Sequence, residues 1–251
     1  MSAAQATAAI LIIGNEILSG RTQDVNTRFI AERLSARGIR LREARVVPDD
    51  EAAVVAAVRA LSAAYTYVFS TGGIGPTHDD ITAACMAKAF DAQLEINAEA
   101  KALMRAYYDA KGLELTEGRL RMARIPQGAA LIENSVSAAP GFKIKNVYVM
   151  AGIPDIMQAM FLSLEPGLAE GPPMLSRTVS GRLLESEIAD ALEDIQNRYP
   201  DVEIGSYPAL GKSDPHVSIV LRSTDEKKLA AATELVIAMA KRFDAKNAGK
   251  K

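Results

Sequence analysis

The segment Tyr65-Thr-Tyr-Val-Phe-Ser-Thr-Gly-Gly-Ile-Gly-Pro-Thr-His-Asp-Asp80 decides the fold of this chain of 251 residues. Its first part, Tyr65–Ser70, predicts a β-strand. Its second part, Thr71–Asp80, is rich in glycine, proline and aspartate and predicts a loop. A helix is predicted to follow from about Ile81 to Phe90. The segment is therefore a strand, a glycine-rich loop and a helix in succession.

The chain before this segment repeats the alternation of strand and helix. The run Ala8–Ile13 is apolar at every position, which is typical of a strand buried on both faces in a parallel sheet. A helix is predicted at Asp24–Arg37, a strand at Ile39–Val47 and a further helix after Pro48. This order predicts an α/β fold with a doubly wound, mostly parallel sheet.

The rest of the chain is predicted to complete this domain and to form a second one. The nine residues Glu165–Pro173 contain two glycines and three prolines, which is typical of a linker. We therefore expect a large domain at 1–165, a linker at 166–173 and a small α+β domain at 174–251. Further helices are predicted at Ala98–Lys111, Thr116–Arg124, Asp155–Leu164, Ser186–Tyr199 and Asp225–Phe243; further strands at Phe142–Ile144, Val147–Met150, Leu175–Ser180, Val202–Tyr207 and His216–Arg222.

Two loops of the large domain, Gly14–Gly20 and Thr71–Asp80, each follow directly after a predicted strand. Ligands of doubly wound sheets bind past the carboxyl ends of the strands. Because both loops occupy that position, we expect them to meet at one ligand-binding edge.

The loop Thr71–Asp80 has the composition of an anion-binding loop. Its glycines allow main-chain N–H groups to approach a ligand without side-chain obstruction, and the next helix presents the positive end of its dipole. The spacing matches neither the P-loop nor the dinucleotide-binding motif. The residues predicted to contact a phosphate are Thr71, Gly72, Gly73, Gly75, Pro76 and Thr77.

Asp79 and Asp80, at the end of this loop, are predicted to hold a divalent cation. Carboxylates repel a bare phosphate, so the combination favours a cation between them, with Mg²⁺ the expected metal. Together with Glu16 they are the candidate catalytic residues. The alternative is that both aspartates simply favour a helix N-terminus.

Polar residues of the first loop form a second candidate group. Glu16 could bind a metal or act as a base, and Asn15 and Ser19 could contact the ligand. The alternative is a turn that starts a helix with Asn15 as its N-cap. Asp24 and Asn26 follow as candidates, with the alternative that Asp24 caps the next helix. Weaker candidates, since turns are common, are Pro140, Gly141, Gly152 and Pro154, with Asn134 and Ser135 nearby.

The charge, the apolar runs and the cysteine count argue against several classes of protein. The net charge of −2, the pI of about 5.8 and the lack of a long basic run argue against nucleic acid as the main partner. The apolar run Ile10–Ile13 is too short to span a membrane, and the N-terminus lacks the charged start of a signal peptide. The single cysteine, Cys85, permits no intrachain disulfide and is interpreted as a core residue. We expect a cytoplasmic protein.

The quoted loops resemble the molybdopterin-binding domain of the MoaB and MogA proteins, and more closely the N-terminal region of the CinA (competence/damage-inducible protein A) family. The resemblance covers nearly the whole chain. Its most specific part is Ser70–Thr82; the other matching parts are Ile13–Gly20, Asp24–Asn26, Pro140–Phe142, Ala151–Pro154 and Ser206–Pro208.

The resemblance implies a three-layer α/β/α domain with a smaller α+β domain. For function it implies metal-dependent hydrolysis of an ADP-ribose-like nucleotide. One alternative is binding or adenylylation of molybdopterin, and another is a non-catalytic nucleotide- or pterin-binding protein. The resemblance also implies a homo-oligomer. The amidase domain that usually follows in CinA proteins is expected to be absent, because the chain ends at Lys251.

Overall fold

The computed structural model describes residues 5–209 and 216–248. The chain separates into two compact units that divide between Gly171 and Pro172. The larger unit carries the ligand-binding edge predicted above, and each unit has its own hydrophobic core.

The larger unit alternates strands and helices through its first half and adds short strands in its second. Its strands are β1 (Thr7–Ile13), β2 (Arg40–Val47), β3 (Tyr67–Thr71), β4 (Leu94–Ile96), β5 (Arg124–Pro126), β6 (Ala130–Ile132), β7 (Gly141–Ile144) and β8 (Val147–Met150). Its helices are α1 (Asn15–Leu18), α2 (Asn26–Ala36), α3 (Glu51–Ala64), α4 (Thr82–Ala89), α5 (Ala98–Ala110), α6 (Glu117–Leu120) and α7 (Pro154–Leu164), with 3₁₀ turns at Arg121–Ala123 and Glu165–Gly167.

Six of these strands form one mixed sheet in the order β2-β1-β3-β8-β7-β6. The four strands β2, β1, β3 and β8 are parallel, and β7 is antiparallel to both of its neighbours. The prediction of a mostly parallel sheet is confirmed. Since β1, β3 and β8 are adjacent and parallel, their carboxyl ends meet at one edge.

Helices cover both faces of this sheet, which confirms the three-layer α/β/α arrangement. The side chains of β1 alternate between the two cores, with Leu11 and Ile13 in one and Ile10 and Ile12 in the other. The first core is completed by buried residues of α3, α4 and α5, and the second by those of α2 and α7. Burial on both faces explains why Ala8–Ile13 is apolar at every position.

Three short strands were missed by the sequence analysis. β4 and β5 form an antiparallel pair outside the main sheet, and β6 is the edge strand beside β7. The predicted helix Thr116–Arg124 is correspondingly shorter, with α6 ending at Leu120 and Arg124 beginning β5. Strands of three residues are too short to show the alternation of apolar and polar side chains by which strands are recognised.

Most of the segment predicted as a linker is packed against the larger unit instead. The carboxylate of Glu165 is buried and pairs with Arg33, and Leu168 is buried in the core. The guanidinium of Arg37 donates to the carbonyl of Leu168 at 3.0 Å, and the amide of Gly171 donates to the carbonyl of Arg37 at 2.9 Å. Proline and glycine therefore occur here in a short 3₁₀ turn and in irregular chain that both belong to the larger unit.

The smaller unit consists of β9 (Leu175–Gly181), α8 (Glu185–Arg198), β10 (Glu203–Ala209), β11 (His216–Ser223) and α9 (Glu226–Ala248). Its strands form an antiparallel sheet in the order β10-β11-β9. Val217, Ile219 and Leu221 of β11 alternate into a core shared with both helices. The predicted small α+β domain is confirmed.

No helix within residues 5–209 and 216–248 combines the length and the apolar character that crossing a bilayer requires.

The side chain of Cys85 lies in the core under α4, and burial raises the pKa of its thiol to about 11. Only the thiolate reacts with disulfide reagents, and at pH 8 a thiol with this pKa is almost entirely protonated. We expect the native protein to react with a chromogenic disulfide at least roughly 100-fold more slowly than the chain unfolded in guanidinium. The single cysteine makes the absorbance trace unambiguous. Equal rates in the two states would contradict this assignment.

Candidate functional site

A cavity of about 450 Å³ lies at the carboxyl ends of β3 and β8. The loop after β3 supplies one wall and the connection from β8 to α7 supplies another. Its lining residues are Glu16, Thr22, Gly72, Gly73, Ile74, Gly75, Pro76, Asp80, Met122, Asn134, Ser137, Ala139, Ala151, Gly152, Ile153, Pro154, Ile156 and Met160. The two loops predicted to meet at this edge therefore both contribute to one cavity.

The glycine loop after β3 has a backbone path that side chains would block. Gly72 has φ of +102°, and a Cβ there would lie 2.1 Å from the carbonyl oxygen of Ile13. Gly73 has φ of +67°, and a Cβ there would lie 2.2 Å from Oγ1 of Thr82. Thr82 holds the loop in place, since its hydroxyl donates to the carbonyl of Gly72 at 2.9 Å and its amide to that of Gly73 at 3.0 Å.

The main-chain N–H groups of Gly73, Ile74 and Gly75 donate to no acceptor in the part of the chain that the structure describes. All three residues line the cavity. Successive N–H groups in a loop containing left-handed glycine form a concave set of donors suited to an anion. The loop can therefore bind a phosphate through its backbone alone.

Two acidic residues, Glu16 and Asp80, line the same cavity. Asp80 Oδ2 accepts from the amide of Thr77 at 2.8 Å and from its hydroxyl at 2.5 Å, which closes the end of the loop. Among the described residues, no lysine or arginine lines the cavity. A phosphate held here would lie near negative side chains with no basic side chain to offset them.

The structure separates Asp79 from Asp80. The side chain of Asp79 is 65% exposed, lies 4.0 Å from Nδ1 of His78 and does not line the cavity. Its pKa is lowered, first by the hydroxyl of Thr77 and then by its own main-chain N–H. Within the described ranges, no three His, Cys, Asp or Glu side chains cluster as a metal site. A cation here would have one or two carboxylates and otherwise water and ligand oxygens, which is how Mg²⁺ is usually bound.

Asn15 and Ser19 of the first loop do not line the cavity. Asn15 is the first residue of α1, and its main-chain N–H donates to Oδ2 of Asp49 at 2.9 Å. The hydroxyl of Ser19 donates to the carbonyl of Glu16 at 3.2 Å. Both residues shape the loop that presents Glu16 to the cavity.

A smaller cleft of about 60 Å³ adjoins the cavity and contains three more of the predicted residues, Thr71, Asp24 and Asn26. Asp24 Oδ1 accepts from the amides of Asn26 and Thr27 at 2.9 and 3.2 Å, as the capping interpretation predicts. Asn26 is buried, and its Nδ2 donates to the carbonyl of Gly152 at 2.8 Å. Glu16, Thr22, Gly72, Gly152 and Pro154 line both spaces.

Of the weaker candidates, Gly152 and Pro154 line the cavity, whereas Pro140 and Gly141 are buried and do not. A Cβ at Gly141 would lie 2.5 Å from the carbonyl oxygen of Val149, so this glycine permits close pairing of β7 with β8. Thr77 acts through Asp80, because it does not itself line the cavity.

Several lining residues were missed by sequence reasoning. Asn134 was named as a candidate, and its amide orders the loop by donating to Oγ of Ser137 at 2.7 Å and to the carbonyl of Ala139 at 2.8 Å. The apolar lining residues could not be recognised from the sequence, because the same residue types are equally typical of a hydrophobic core. The missed residues are Thr22, Ile74, Met122, Ser137, Ala139, Ala151, Ile153, Ile156 and Met160.

Comparisons with known proteins match both units. Residues 9–170 match the model of the probable molybdopterin binding domain, and residues 173–246 match the middle domain of FAD synthase. The crystal structure of the protein CinA from Thermoplasma acidophilum, described as of unknown function, superposes with a TM-score of 0.60 at 35% identity. That match covers 65% of this chain and 98% of the other.

Two sequence relatives extend over most of the chain. A protein of Pyrobaculum calidifontis is 37% identical over 211 residues, which is 80% of each chain. A probable FAD synthase of Caenorhabditis elegans is 34% identical over 228 residues. The second match covers 81% of this chain but only 44% of that relative, so this chain corresponds to less than half of it.

Substituting Gly141 tests its assignment to packing and not to ligand contact. Gly141→Ala is expected to lower the free energy of unfolding by about 1–3 kcal/mol, because the new methyl group meets the Val149 carbonyl. The matched control is Gly167→Ala, where no atom lies within 4 Å of the new Cβ and a change within about 0.5 kcal/mol is expected. Urea denaturation measures both, and equal stability of the two variants would refute the assignment.

Proposed function

This chain belongs to the probable molybdopterin binding domain family, and we propose that its cavity hydrolyses the diphosphate bond of an ADP-ribose-like nucleotide with the help of a divalent cation. One observation carries the proposal. Three main-chain N–H groups without protein acceptors and two carboxylates line one cavity in the described chain.

The glycine loop is assigned to phosphate binding. The N–H groups of Gly73, Ile74 and Gly75 would donate to phosphate oxygens, in a geometry that Thr82 fixes before the ligand arrives. The N-terminus of α7, which has no side-chain cap, adds the positive end of a helix dipole beside Ile153 and Pro154. Preorganised donors of this kind stabilise charge that develops on phosphate oxygens during cleavage.

The donor set of the cavity fits a divalent cation. Glu16 and Asp80 supply carboxylate oxygens, which hard cations prefer, and no basic side chain of the described residues competes for the phosphate. When bound, the cation would supply Lewis-acid polarisation of the phosphorus and a lower pKa for an attacking water. Glu16 and Asp80 would hold it, and either carboxylate not saturated by it could accept the proton of the water.

The apolar part of the lining would accommodate the base. Met122, Ile153 and Ile156 present apolar atoms that suit the face of a flat ring. The relative named as a probable FAD synthase supports an adenosine diphosphate, since FAD, like ADP-ribose, carries one. The family description favours a second candidate function, the binding or adenylylation of molybdopterin, whose pterin ring would occupy the same wall.

We also propose that the chain is a cytoplasmic homo-oligomer with a small-molecule nucleotide or pterin as its partner. The family membership supports this proposal. Light scattering of the purified protein would test the oligomeric state.

Hydrolysis is tested with ADP-ribose and Mg²⁺ or Mn²⁺, with AMP and ribose 5-phosphate separated by chromatography. A chelator should abolish the reaction. Glu16→Gln and Asp80→Asn should each lower turnover by about 100-fold or more, because each removes a charge from the cavity while keeping its shape. The control is Asp155→Asn, an exposed acid in the first turn of α7 that lines no part of the cavity.

Asp79→Asn tests whether Asp79 is catalytic, as the sequence predicts, or lies outside the site, as its position in the structure indicates. Since its carboxylate lies outside the cavity, we expect turnover to fall by less than about fivefold.

Calorimetry with molybdopterin beside ADP-ribose tests the second function. Tight pterin binding with no hydrolysis of any dinucleotide would overturn the first proposal in favour of the second.

A further inference from the structure

The lining of the smaller cleft beside the cavity combines apolar side chains, among them those of Ile12, Ile17 and Val25, with several that carry oxygen acceptors. It contains the carboxylates of Glu16 and Asp24 and the amide of Asn26, and no lysine or arginine of the described residues lines it. Two like charges with no basic partner are costly to hold together. The cleft therefore favours a positively charged occupant.

The amide of Asn26 provides an independent indication. Its residue is 6% exposed, and its Oδ1 is sealed from solvent without a hydrogen-bond partner among the described residues. The orientation of the amide is fixed, because Nδ2 donates to the carbonyl of Gly152 at 2.8 Å and a flipped amide would bring two oxygens together. The free atom is thus an acceptor, and a buried acceptor without a donor costs about 1–3 kcal/mol unless a ligand satisfies it.

The carboxylate of Asp24 is held in place by hydrogen bonds at the start of α2. Its Oδ1 accepts the amides of Asn26 and Thr27, and its Oδ2 has no donor in the described part of the chain. The two hydrogen bonds fix the carboxylate on the same turn as the Asn26 amide. A cation in the cleft would find these oxygens already positioned.

The volume decides what kind of occupant fits. About 60 Å³ corresponds to roughly two water molecules at about 30 Å³ each, which is too small for a sugar or a base. A hard divalent cation with one or two waters fits this space and this set of oxygen donors. We propose that the small cleft is a divalent-cation site formed by Glu16, Asp24 and Asn26, distinct both from the cation that Glu16 and Asp80 would hold in the cavity and from the Asp79–Asp80 pair that the sequence indicated.

Glu16 connects this site with the cavity, because it lines both spaces. A cation in the cleft would therefore lie next to the proposed phosphate site and could act in hydrolysis. That role rests on the proposed function, whereas the binding of the cation does not.

The test is a calorimetric titration of the full chain with MnCl₂ alone, without nucleotide, followed by thermal unfolding with and without Mn²⁺. The wild type should bind about one Mn²⁺ in the cleft and unfold at a higher temperature with it. Glu16→Gln and Asp24→Asn should each weaken binding by about tenfold or more. Asp24→Asn keeps a side-chain carbonyl oxygen that can accept the hydrogen bonds at the start of α2. Glu16 does not take part in that cap, so Glu16→Gln leaves it unchanged. Asp155→Asn, which removes an exposed charge nearby, should stay within about twofold of wild type.

Unchanged Mn²⁺ affinity in Asp24→Asn, or no binding by the folded wild type at millimolar Mn²⁺, would overturn the site, because Glu16→Gln also removes a carboxylate assigned to the cavity cation. The outcome is independent of the hydrolysis assay. Cation binding that depends on Glu16 and Asp24 without any hydrolysis would sink the proposed function and leave this site standing. Hydrolysis by the wild type together with normal Mn²⁺ binding by Asp24→Asn would support the proposed function and overturn this site.

Discussion

The contact between Gly72 and the carbonyl of Ile13 constrains the whole ligand-binding edge. These residues end two adjacent parallel strands, and the chain leaving β3 passes so close to β1 that no side chain fits between them. Gly152, which follows β8, packs against Gly72 from the other side. A Cβ on Gly152 would lie 3.4 Å from the Cα of Gly72. Three strand ends are thereby drawn together, and the next three residues, Gly73, Ile74 and Gly75, line the cavity. Thr82 completes the constraint, since its buried hydroxyl satisfies the carbonyl of Gly72.

The distribution of charge gives this edge its chemical character. Two arginines of the larger unit contact the segment that follows α7, with Arg33 paired to Glu165 and Arg37 bonded to Leu168 and Glu170. Those contacts fasten the segment 165–171 to the domain. The cavity and its adjoining cleft are left with acidic groups and main-chain donors, a combination that suits a phosphate accompanied by a cation.

Adjacent residues of a motif can have different roles once the chain is folded. Asp79 and Asp80 are equivalent in the sequence, yet Asp80 turns inward to accept from Thr77 and Asp79 projects into solvent. Gly141 and Gly152 both follow the pattern of a turn beside a strand, yet one allows two strands to approach and the other lines the cavity. In each case the distinction depends on which neighbour the backbone meets.

The sequence by itself determined the layer arrangement, the edge of the sheet at which the cavity lies and the glycine loop on it. These follow from local properties: burial on both faces makes Ala8–Ile13 uniformly apolar, and left-handed backbone at the strand end requires glycine. Only the tertiary structure decided which acidic residues line the cavity, that Asn26 has a buried unpaired oxygen, and that Met122 and Ile156, packed against the cores, also line the cavity. The reason is physical, because those properties depend on atoms distant in the chain, such as the carbonyl of Gly152 that orients the amide of Asn26 from 126 residues away.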